Sequence, residues 1–129
     1  MKKYLLFLIF LGLFSSNLHA QNISEFVNTF NTKLSQQFPS SKAEFEGSVI
    51  SIYMSTVDIA NNNTMVTSDQ MDDYISNKDT NKEFSEVFLN SFISSMGDLK
   101  SVKDLGVSAF KIYFIMSDGK EVYAGMRKI

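Results

Sequence analysis

The sequence predicts a small α+β domain, an antiparallel sheet ending in a C-terminal β-hairpin with two main helices packed on one face. Three patterns carry that expectation. Two stretches repeat phenylalanine and aliphatic residues at helical spacing behind capping residues, a β-branched run lies between them, and Asp118-Gly119 separates two further β-prone runs.

The first helix opens at Asn22-Ile23-Ser24-Glu25, where Asn22 can cap free amides and Glu25 can reach back. Ile23, Phe26, Val27, Phe30, Leu34 and Phe38 then form one apolar stripe, and Pro39 ends it. From 44 to 56 a strand is expected, centred on Val49, Ile50, Ile52 and Tyr53, with Gly47 as a bulge near its start. Residues 57–82 are less regular. Asn61-Asn62-Asn63 signals a turn, 64–67 a short return strand, and Ser68 the cap of a short helix carrying Met71, Tyr74 and Ile75; an exposed loop with one helical segment is the equal alternative.

Thr80-Asn81-Lys82-Glu83 forms a second capping box ahead of Phe84, Val87, Phe88, Phe92 and Met96, with Leu89 and Ile93 widening the stripe and Gly97 stopping it. A polar connector over 98–105 leads to the last two strands, 107–116 and 121–129. Read as a two-residue turn, Asp118-Gly119 pairs Ile115 with Val122, Tyr113 with Ala124 and Lys111 with Met126 on one face. The other face takes Phe110, Ile112, Phe114 and Met116, opposite Arg127, Gly125, Tyr123 and Glu121. Both faces are substantially apolar, so one goes under the helices and the other asks for a loop, a second subunit or a ligand. Phe110, Ile112, Phe114, Met116, Tyr123 and Arg127 are the candidate interaction face. Cystatin-like and cone-shaped curved-sheet folds share this outline, an analogy of shape that carries no function.

Residues 1–20 have the layout of a secretory signal: Met1-Lys2-Lys3, an apolar run over 4–14, and a polar stretch ending in Ala20. The apolar run is shorter than the roughly 20 residues a membrane-spanning helix needs. Cleavage after Ala20 is therefore expected, with the remaining single domain, 21–129, in the periplasm or outside the cell. An uncleaved anchor is the alternative. No later stretch approaches membrane-spanning length.

Cleavage would remove His19, the chain's one histidine; the chain has no cysteine. Without either residue, imidazole triads, thiol nucleophiles and thiolate or imidazole metal sites are not available, and packing alone must supply stability. Lys2 and Lys3 would leave as well, so 12 basic residues become 10 against 14 acidic ones. With a single arginine and scattered lysines, nucleic acid and a polybasic membrane contact are not expected.

The remaining acid/base groups are carboxylates, lysines and tyrosines. Asp58 with Tyr53 and Glu121 with Tyr123 are the candidate pairs, although rim carboxylates and sheet tyrosines are the simpler account of them. The segment 77–81 offers oxygens at alternate positions, but Lys82 and Phe88 stand where a calcium loop needs glycine and glutamate. No metal or cofactor is expected. The leading expectation is a non-catalytic exported binding protein whose partner is another protein, a second copy of itself or a hydrophobic small molecule. A carboxylate/tyrosine enzyme and an inhibitor or immunity-type protein of the cell envelope are the alternatives.

Overall fold

The structure, a computed structural model, describes residues 22–62 and 66–129. In chain order it runs α1 (Ile23–Gln37), β1 (Lys42–Glu46), β2 (Val49–Ser55), α2 (Thr56–Asn61), α3 (Ser68–Ser76), α4 (Lys78–Ser95), α5 (Leu99–Asp104), β3 (Ala109–Ile115) and β4 (Glu121–Lys128). The result is an α+β domain with one four-stranded sheet in the order β1-β2-β3-β4. The signal-like residues 1–20 and their cleavage site lie outside the described residues, as do Asn63, Thr64 and Met65 of the expected turn and return strand.

The sheet is mixed, which corrects the antiparallel expectation. β1 with β2 and β3 with β4 are antiparallel hairpins, but β2 and β3 run parallel in the register Ile50↔Phe110, Ile52↔Ile112, Met54↔Phe114. A parallel pair needs a long crossover, and α2 to α5 supply it. This pairing also departs from the antiparallel outline of cystatin-like and cone-shaped folds. The single strand expected over 44–56 is in fact the first hairpin. Gly47, at φ +69°, turns the chain back on itself where a bulge was expected.

Helix starts follow their capping residues. Asn22 accepts the Glu25 amide at 2.8 Å, as expected. Thr67, one residue before the expected cap, closes a reciprocal box with Gln70 at the head of α3. α4 begins earlier than Thr80: Asn77 accepts from Asp79 and Thr80, and the Thr80 hydroxyl instead holds the Tyr74 carbonyl at the end of α3. The polar connector contains α5, capped by Asp98.

One apolar core lies between the helices and the sheet. Phe26, Phe30, Leu34 and Phe38 enter it from the first helical stripe, Phe84, Phe88, Leu89 and Phe92 from α4, and Ile50, Ile52, Met54, Phe110, Ile112 and Phe114 from the sheet. Phe30 meets Phe92 at 5.6 Å between ring centres, and Phe88 meets Phe114 edge-on at 6.0 Å. Each such side chain contributes about 1.5–3 kcal/mol through removal from water.

Candidate functional site on the open face of the sheet

Paired positions share a face of a sheet, so the register fixes what the side away from the helices carries. One row across it reads Glu44, Ser51, Lys111, Met126, and the next Lys42, Tyr53, Tyr113, Tyr123. The second row is continuous. The Lys42 ammonium sits 5.2 Å from the Tyr53 ring centre, and Tyr53 stacks on Tyr113 at 4.8 Å with 11° between planes. Tyr123 closes the row, meeting Tyr113 near edge-on at 5.5 Å.

The stack determines what this face offers. Tyr53 and Tyr113 occupy each other's ring faces, and Lys42 and Tyr123 cover the outer two, so the row presents mainly ring edges and hydroxyls. Burial is the main cause that raises the Tyr53 phenol above its usual pKa; the carboxylate of Glu44, Tyr113 and Glu121 add to it, and Lys42 opposes it. Tyr53 therefore stays protonated, a hydroxyl donor and a poor base.

At the β4 end the cover is thinner. Tyr123 is 54% exposed and Met126 43%, two neighbouring large apolar side chains on the edge strand. They share a face because β4 carries a bulge: Ile112 pairs with Gly125 but Tyr113 with Tyr123, leaving Ala124 extra. The bulge lies against α4, where a side chain on Gly125 would meet Ser85 Oγ at 3.0 Å.

The expected interaction face is thereby largely reassigned. Phe110, Ile112 and Phe114 are fully buried under the helices, because they align with Ile50, Ile52 and Met54 in a continuous apolar floor. Met116 packs against the same core, and Arg127 reaches Asn90 of α4 at 2.6 Å. Of the six residues, Tyr123 alone lies on the open face. Tyr113 and Met126 were placed on the opposite side of the hairpin from those six, and they do belong to the open face. Lys111 was placed with them, and Tyr53 and Lys42 join only through the parallel β2–β3 pair, which no local pattern announces.

Of the acid/base pairs, Asp58 with Tyr53 is not assembled. Asp58 is 2% exposed, and its Oδ2 accepts the Ser40 amide at 2.7 Å and the Ser41 hydroxyl at 2.8 Å. Ser41 Oγ in turn accepts the Ser55 amide, so Asp58 ties the turn after α1 to the junction of β2 and α2. Tyr53 points to the other side of the sheet. Glu121 and Tyr123 share the open face of β4 near its start, both solvent-exposed.

A groove of about 960 Å³ runs between α4 and β4, lined by Lys78, Lys82 and Glu86 on the helix and by Val122 to Arg127 on the strand. Its walls carry charges of both signs over a small apolar floor that includes Leu89. Among the described residues, no three of His, Cys, Asp and Glu come together to hold a metal ion, and no helix is long and apolar enough to cross a membrane. No family model matches the chain, and neither the curated proteins nor the solved structures contain a significant match.

Proposed function

We propose that this chain is a small exported protein, periplasmic or secreted, that works by contact and not by catalysis. The observation that carries the reading is the exposed pair Tyr123 and Met126, set side by side at the edge of an otherwise self-covered sheet face. Exposed aromatic and methionine side chains at one place are the composition of contact surfaces. The separation of Asp58 from Tyr53 favours the same reading. Asp58 is committed to the turn after α1, and burial raises the Tyr53 phenol above its usual pKa. A hydrophobic small molecule is less well served, since the groove between α4 and β4 is lined by charges.

Native mass spectrometry of the chain recovered from its own host tests the proposal. A mass above that of one subunit, from a second copy or another protein, is the expected result. A bare monomer at micromolar concentration overturns it. A basic protein as the retained mass would point to the inhibitor or immunity role.

A further inference from the structure

We propose that the outer edge of β4 is a self-complementary dimer interface, on which two copies join antiparallel to make one continuous eight-stranded sheet. The inference rests on the contact reading above and names its partner as a second copy of this chain.

The two edges of the sheet are treated differently. β1 is five residues long and carries Lys42, Glu44 and Glu46. Its outer backbone is also engaged: the Asn31 side-chain amide donates to the Ala43 carbonyl and accepts the Ala43 amide, both at 2.8 Å. Short length, charge and a covering side chain are ways of keeping an edge from pairing. β4 is eight residues long, its charges stand near its ends, and Tyr123, Ala124, Gly125 and Met126 fill the middle. A groove separates part of the strand from α4.

The backbone pattern of β4 is symmetric about its own centre. Met116 donates to the Lys120 carbonyl at one end of the hairpin and Ile129 to the Ser108 carbonyl at the other. Alternation between these points turns Val122, the bulge and Arg127 toward β3, and Glu121, Tyr123, Met126 and Lys128 outward. In an unbulged strand, positions 123 and 126 could not both point outward. The extra residue Ala124 makes the outward set 121, 123, 126, 128 read the same in both directions.

A two-fold axis at the bulge then sets Tyr123 against the partner subunit's Met126 and Glu121 against the partner subunit's Lys128. Each contact occurs twice. The two most exposed large apolar side chains of the described residues cover each other, and the terminal charges meet with opposite sign. Any other register puts outward groups against inward ones or loses the charge match.

Sedimentation equilibrium of the purified chain tests this across the micromolar range, with the native chain expected to dimerise. Glu121→Lys turns two attractive cross-strand pairs repulsive and should weaken dimerisation roughly tenfold or more. Adding Lys128→Glu to that variant reverses both signs and should restore it. Met126→Lys should give a monomer of unchanged circular dichroism. A native chain that stays monomeric overturns the interface, and so does a dimer indifferent to Glu121→Lys and Met126→Lys. A monomer that holds a different protein would overturn this interface and leave the contact reading standing, whereas a monomer with nothing bound overturns both.

Discussion

On the helix side of the sheet, Ile50, Ile52, Met54, Phe110, Ile112 and Phe114 vanish under α1 and α4. On the other side, the same strands present Tyr53, Tyr113 and Lys111 under no helix at all. The first face is covered by other elements and the second by its own side chains, laid across the strands as a stack of rings with Lys42 at one end. An amphipathic ring suits this use, because its body packs while its hydroxyl stays wet. The difference teaches that an apolar-looking second face need not wait for a partner over its whole area. Only the β4 margin, where the stack runs out, remains open.

The largest expected effect lies on the helix side. Phe88 is fully buried between Phe92 and Phe114, so Phe88→Ala should cost about 4 kcal/mol in a urea or thermal unfolding measurement. Tyr113→Ala removes the centre of the ring stack but leaves its site open to water, so about 2 kcal/mol is expected. Equal losses would mean that the two faces are buried alike. A loss at Tyr113 too small to measure would mean that the ring stack covers nothing.

The main helices and the C-terminal hairpin are legible in the sequence; the first hairpin, α5 and the assembly of the sheet are not. Asn22 and the phenylalanine stripes locate both main helices, since capping and 3.6-residue spacing are properties of neighbouring residues. The parallel alignment of Ile52 with Ile112 joins residues 60 positions apart, and nothing near either one encodes it. The inversion of the interaction face follows from that gap. The hairpin holds a subtler case. Gly119 donates to the Met116 carbonyl while Met116 donates to Lys120, so the loop is Ser117-Asp118-Gly119, three residues where two were expected. That shifts Phe114 onto Val122 and Tyr113 onto Tyr123, and the bulge at Ala124 then shifts the register back. The expected partners of Ile112, Lys111 and Phe110 are therefore correct although the turn is not.

Gly119 keeps its importance in the longer loop. Its φ is +93° with open space where a side chain would stand, so Gly119→Val should cost about 1 kcal/mol through backbone strain without a clash. Gly119→Ala at the same site should lose less, because alanine is not β-branched. If the two variants melt alike, the strain resides in the positive φ alone. Either result isolates the turn from both faces, since neither variant touches the core or the tyrosines.

The smallest effect concerns how the hairpin tip is held, and it again divides the two sides. From the helix side, Asp72 of α3 accepts the Thr56 hydroxyl at 2.6 Å and the Ser117 amide at 3.2 Å. Partial burial works against its charge, but the Ser117 and Thr56 hydrogen bonds outweigh it and hold the carboxyl below its usual range. A carboxylate whose pKa is lower folded than unfolded adds stability above the unfolded value, near 3.9, and loses it as pH falls through the folded one. The melting advantage of the native chain over Asp72→Asn should accordingly be constant above about pH 5 and close below about pH 4. A difference that persists unchanged into acid would mean that the charge of Asp72 is not its source, and that packing from the helix side sets the end of the hairpin from which β4 begins.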